Sequence, residues 1–191
     1  MVVVNWRNRS EEELVTQACL GNLNAFDALV HRYRPGALVL ARQIAGPKDV
    51  AEDVVQDAFL AAFKALPQLE DVDRFAAWFG AIVRHRARKQ THARREVTLP
   101  LDAVICSHAP SLTEAIEKRA EAGVMRHALA RLPEEIRTVM DLYYIEEWRV
   151  TQIAQFLALP NTTVKWRLNV GRNKLRTSLE NYQEYFNGTG K

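Results

Sequence analysis

Apolar residues recur along this chain at intervals of three and four far more often than at intervals of two, which is the spacing of helices with one buried face. Strand-like alternation is almost absent. Ser10 followed by Glu13 has the form of a capping box, in which a hydroxyl satisfies a free N–H of the first turn, and Gly21 can close the helix so opened. A second helix is predicted from about Asn24 to Ala45, with Phe26, Leu29, Val30 and Tyr33 on one side and Pro35 as a point of kinking or division. Gly46 and Pro47 separate it from a third, Lys48 to Leu66. Pro67 to Asp73 reads as an acidic loop, and Asp73 to about Arg95 as a long helix, aromatic in its first half and basic in its second.

The helical period lapses over residues 97–112, VTLPLDAVICSHAPSL, where two prolines and little charge point to an extended linker. Ser111 and Glu114 supply another capping box. Helices are then predicted at about Leu112 to Arg131, Pro133 to Glu147 and Val150 to Leu157, with a last one from near Thr162 toward Leu179. The expected architecture is all-α: two small helical domains, 10–96 and 113–180, joined by the linker 97–112 and followed by a tail, 181–191.

Composition narrows the function classes. With 191 residues, 48% of them hydrophobic, the chain can bury a core. Cys19 and Cys106 belong to no CxxC or Cys/His cluster, so neither a disulfide framework nor a zinc site is expected, and a reducing cytoplasm is the natural setting. The start, MVVVNWRNRS, reverses the charge order of a signal peptide, and no run approaches the roughly 18 apolar residues of a membrane span, so no membrane insertion is expected. Phosphate-loop, dinucleotide, HExxH and GxSxG motifs are missing, and His31, His85, His92, His108 and His127 are scattered without metal spacing. No catalytic constellation is nominated, no cofactor is expected, and the chain reads as a non-enzyme.

The charges balance to +3, from 26 Lys and Arg against 23 Asp and Glu, so the total does not announce a nucleic-acid binder. Their placement does more. TQIAQFLAL, a Pro-containing turn and TTVKWRLNVGRNKLRTSL have the order and lengths of a helix-turn-helix. Ile153, Ala154 and Leu157 can pack on Val164, Leu168, Leu175 and Leu179, leaving Thr162, Thr163, Lys165, Arg167, Arg172 and Arg176 free to meet DNA, with Thr163, Lys165 and Arg167 the candidates for base readout. Trp166 fits either a core position or a cover over the helix pair, and Gly171 either a bend or close packing. Earlier, DVAEDVVQDAFLAAFKAL shows Glu52, Asp53, Gln56 and Asp57 beside an exposed or semi-exposed Phe59, a stripe suited to a basic helical partner or to plain solvation. In DRFAAWFGAIVRHRARKQTHARR, Phe75, Trp78 and Phe79 precede Arg84, Arg86, Arg88, Lys89, Arg94 and Arg95. Rings beside cations suit unpaired DNA, whose bases stack while its phosphates follow positive charge; at least one of Phe75 and Phe79 is expected in the core.

Taken in order, AFDALVHRYRPGALVLA, AEDVVQDAFLAAFKAL, RFAAWFGAIVRHRARK, ALARLPEEIRTVM and TVKWRLNVGRNKLR resemble the extracytoplasmic-function (ECF) sigma factors of the sigma-70 family, which contain only the second and fourth conserved regions. The resemblance implies an initiation subunit that directs core RNA polymerase to promoters. It implies that Asp53, Gln56, Asp57 and Phe59 bind the clamp helices of the largest polymerase subunit. Asp71, Arg74, Trp78, Arg84, Arg88 and Lys89 would serve the promoter's −10 element, and Thr163, Lys165, Arg167, Arg172 and Arg176 its −35 element. Promoter DNA, duplex and melted, and an anti-sigma factor of the kind such proteins often have are the further partners implied. The chain departs from the family pattern at His85, Lys89, Arg149, Gln152 and Asn161–Thr162. The rival readings are an autonomous helix-turn-helix regulator and a helical protein that sequesters a sigma factor.

Overall fold

A computed structural model describes residues 5–97 and 128–188, and every regular element among them is helical. The first unit contains α1 (Glu11–Cys19), α2 (Leu23–Ala45), α3 (Lys48–Ala65) and α4 (Phe75–Val97). The second contains α5 (Glu134–Tyr144), α6 (Val150–Leu157) and α7 (Asn161–Gly188). The linker expected at 97–112 lies almost wholly outside the described residues, as does most of the helix expected at 112–131.

Local chemistry sets the helix ends. Ser10 Oγ accepts the Glu13 N–H at 3.2 Å, the half of the capping box that the hydroxyl provides. Gly21, at φ +88°, turns the chain into Asn22, whose Oδ1 accepts from the N–H groups of Asn24 and Ala25. Pro35 does not divide α2: Tyr33 on one side of it and Ala37, Leu40 and Ala41 on the other are buried in the same core, and this packing carries the helix through. The expected acidic loop holds two short 3₁₀ turns, Leu66–Gln68 and Val72–Arg74, the second capped by Asp71. At α6, where Arg149 offers no acceptor, Gln152 Oε1 takes the Arg149 N–H at 3.0 Å and supplies the cap from inside the helix. The last helix continues to Gly188, nine residues past its expected end and through most of the expected tail.

Leu14, Val15, Leu29, Val54, Phe75, Phe79 and Val83 fill the first core, where Phe59 stacks on Phe79 with ring centroids 4.5 Å apart. In the second unit Ile136, Val139 and Leu142 of α5 meet Ile153 of α6 and Val164 and Leu168 of α7. Gly171 is a packing glycine: a Cβ there would lie 2.6 Å from Met140 Sδ.

The two units meet along a seam in which α6 crosses α4 and α5 lies by α2. A Cβ on Gly80 would fall 2.1 Å from the Phe156 carbonyl oxygen, and one on Gly36 would fall 2.3 Å from the Trp148 indole. Tyr33 is the hub, with ring centroids 5.4 Å from Phe75, 5.9 Å from Phe79, 5.9 Å from Trp148 and 6.1 Å from Phe156. Its hydroxyl donates to the Glu11 carboxylate, and burial foremost, then that carboxylate, pushes its pKa far up. At the edge, Arg137 Nε donates to Gln43 Oε1 at 2.7 Å and Gln43 Nε2 donates to Asp141 Oδ2 at 3.1 Å. Burial raises the Asp141 pKa against the opposing pull of Gln43 and Arg137.

Two outcomes are expected. Gly80→Ala should improve α4 by about 1 kcal/mol of intrinsic propensity while separating the units, so scattering should report a larger radius of gyration at unchanged helix content; an unchanged radius would contradict the seam. Asp141 holds its proton more tightly folded than unfolded, so between its two pKa values the folded state binds more protons and stability falls as pH rises. Chemical denaturation across that window should show a shallower slope for Asp141→Asn than for the unaltered chain.

Candidate polymerase and nucleic-acid interfaces

α3 turns Ala51, Val54, Val55, Ala58, Phe59 and Ala62 inward, which leaves Asp53, Gln56 and Asp57 on a common exposed face. Neither aspartate forms an ion pair among the described residues, whereas Glu52 lies 3.8 Å from Lys48. Phe59 departs from expectation. Only 8% exposed, it is held between Phe79 and the edge of Phe26, so it supports this surface from below and does not project from it. The apolar part of the surface is instead Leu60 and Phe63, 53% and 41% exposed. They continue the Asp53, Gln56, Asp57 stripe at i+7 and i+10, and that helical register was the signal available in the sequence.

The residues assigned to the −10 element divide into three places. Asp71 and Arg74 pair with each other at 3.2 Å on the exposed turn before α4, a contact of little energetic weight in water. Phe75 and Phe79 are both core, so of the three aromatics only half-buried Trp78, 5.9 Å from Phe75, retains accessible surface. Arg84 and Arg88, one turn apart, line a hollow of about 440 Å³ in the seam together with Glu134, Glu135 and Arg167. Burial, and secondarily Arg88, lowers the Arg84 pKa, yet a guanidinium remains charged at any ordinary pH. Lys89 does not join them. With Arg86 it faces Asp53, Gln56 and Asp57 across a separate hollow of about 520 Å³. The basic run, a single patch in sequence, is two faces in space because residues 84 and 88 share a side of α4 that 86 and 89 do not.

α6 and α7 form the helix-turn-helix. Ala158, at φ 55° in the left-handed region, begins the turn, and Pro160 ends it immediately before Asn161, the first residue of α7. Val164, Leu168 and Gly171 pack inward, Leu175 is half-buried, and the Leu179 side chain lies outside the described residues. Lys165, Arg172 and Arg176 are exposed; Thr163 and Arg167 are half-buried. Arg176 reaches Glu180 at 3.9 Å, while Arg167 is drawn toward the seam hollow. Trp166, placed at a core or covering position by either sequence reading, is 60% exposed. Among the described residues no group of His, Cys, Asp and Glu is arranged to hold a metal ion, and no helix is long and apolar enough to cross a membrane.

Comparison with known proteins accounts for both units. Sigma-70 region 2 matches residues 29–96 and Sigma-70, region 4, matches residues 128–177. The probable RNA polymerase sigma factor RfaY of Xanthomonas campestris is 30% identical over 149 residues, 75% of this chain; the match spans 36% of that relative's length. The ECF RNA polymerase sigma factor SigW of Bacillus subtilis is 27% identical over 176 residues, 86% of this chain and 94% of SigW. A solved structure of CnrH with the cytosolic domain of CnrY is similar at a TM-score of 0.59 and 29% identity, covering 89% of this chain and 97% of that one. With regions 2 and 4 matched in order and full-length ECF relatives, the chain belongs to the sigma-70 family as an ECF sigma factor, a subunit for promoter-specific initiation of transcription.

Proposed function

We propose that the chain divides initiation between opposed surfaces of its two units, 10–96 and 113–180, linked by 97–112. Asp53, Gln56 and Asp57, with Leu60 and Phe63 beside them, dock on the basic clamp helices of the largest subunit of core RNA polymerase. Charge complementarity sets the encounter and the exposed apolar pair adds burial. Asp71, Arg74, Trp78, Arg84, Arg88 and Lys89 engage the −10 element: Trp78 offers a ring for an unstacked base, Arg84 and Arg88 follow the melted strand, and Lys89 adds positive charge from the other side of α4. Thr163, Lys165 and Arg167 approach base edges of the −35 element in the major groove, while Arg172 and Arg176, further along α7, meet phosphate. Nucleotide addition belongs to the polymerase, and this chain acts in the cytoplasm as its non-catalytic subunit. CnrH was solved with a partner protein, the cytosolic domain of CnrY, and an anti-sigma partner is proposed here by extension.

One observation carries this reading: Asp53 and Asp57 on α3, exposed and in no ion pair among the described residues, and a cationic outer face on α7 coexist in one chain, so it has a surface for each macromolecule. The test is in vitro transcription with purified core polymerase on a promoter library, sequencing the starts. Specific starts are expected, and their absence would refute the assignment. Asp53→Arg with Asp57→Arg should abolish starts by lowering affinity for core, measured directly by titration, with the helical content intact. Lys165→Ala and Arg167→Ala should each weaken −35 recognition by about 1–3 kcal/mol if they contact bases, with relaxed preference at one position. An equal loss on random duplexes would assign them to phosphates.

A further inference from the structure

Among the described side chains of α7, the one large apolar residue that is strongly exposed, Trp166, lies in the middle of the face proposed to meet DNA. The buried face of this helix is defined by Val164, Leu168 and Gly171. At about 100° per residue, Trp166 lies on the opposite side of the helix, six residues in, where a helix seated in the major groove passes closest to base edges. It is 60% exposed, and its helical neighbours are Thr162, Thr163, Asn169 and Val170, with Lys165 and Arg167 on either side. The other strongly exposed apolar residues of the described chain lie elsewhere: Leu20 and Leu23 around the start of α2, Leu60 and Phe63 on α3, Tyr144 and Ile145 at the end of α5. An exposed indole with two hydroxyls, one amide and two cations about it, and half-buried Val170 beside it, fits a surface that is anionic overall and apolar at isolated points. The major groove is such a surface, and its one apolar feature on base edges is the thymine C5-methyl group.

We propose that Trp166 reads a thymine methyl group within the upstream promoter element, and so helps to set this chain's promoter choice. The inference rests on the −35 assignment of α7. A Lys or Arg contact supplies attraction and a hydrogen bond, but neither distinguishes thymine from uracil; only an apolar contact with the methyl does.

That difference is the test. Holoenzyme assembled from core polymerase and the full chain is titrated onto its selected promoter, with each upstream thymine replaced in turn by uracil, which keeps every hydrogen-bonding group and lacks the methyl. One replacement should weaken binding about fourfold, the size expected for losing burial of one methyl-sized group. Holoenzyme carrying Trp166→Ala should bind the thymine and uracil forms of that promoter equally, while still preferring it over unrelated duplex. Because Trp166 is exposed and Ala favours helix, circular dichroism of the variant should match that of the unaltered chain. Insensitivity of the unaltered holoenzyme at every thymine, with promoter preference intact, would overturn the inference and leave the −35 assignment standing. Discrimination that survives in Trp166→Ala would overturn it as well. Holoenzyme with no preference for its upstream element would remove the −35 assignment itself.

Discussion

Where α4 passes α6, one helix has no side chain and the other presents a bare carbonyl: Gly80 admits the Phe156 oxygen to a place that any Cβ would occupy. This approach lets the Phe156 ring reach the rings of Tyr33 and Phe79, and so joins two cores that would otherwise be separate. Tyr33 then ties the seam to α1 through Glu11, while Gln43, Arg137 and Asp141 close its edge. Polar groups buried in these units are answered, and no buried side-chain nitrogen or oxygen among the described residues lacks a partner. The placement of the charged surfaces relative to one another follows from this contact.

The charge total of +3 conceals this arrangement, because it sums surfaces of opposite sign that lie on different helices. On α3 the inward alanines, valines and Phe59 leave carboxylates outside. On α4 the core ends near Val83 and Ala87, and cations occupy what remains.

Much of this was legible in the sequence because it rests on local rules. Helical period, Ser10, the Gly46–Pro47 break and the turn at 158–160 each announce themselves within a few residues, and α1, α3 and α6 fall within about a residue of their expected bounds. What was hidden depends on partners distant in the chain. Pro35 signals a break, and only the shared core shows why α2 continues. Phe59 alternates with acids as an exposed ring would, and only Phe79, twenty residues on, shows it to be buried. The basic run separates into two faces because its members differ in helical phase, which Arg167 and Asp53 reveal from either side. Gly36 and Gly80 carry no sequence mark of a seam.

The hollow at the seam has a consequence for how ions act on this protein. Arg84, Arg88 and Arg167 line it together with Glu134 and Glu135, so charges of both signs share one hollow. If these guanidiniums engage DNA as proposed above, phosphates would compete with the glutamates for them, and added salt would weaken both attractions. On the proposed assignment, these three arginines would have two anionic partners to choose between, the glutamates of the seam and the phosphates of a promoter.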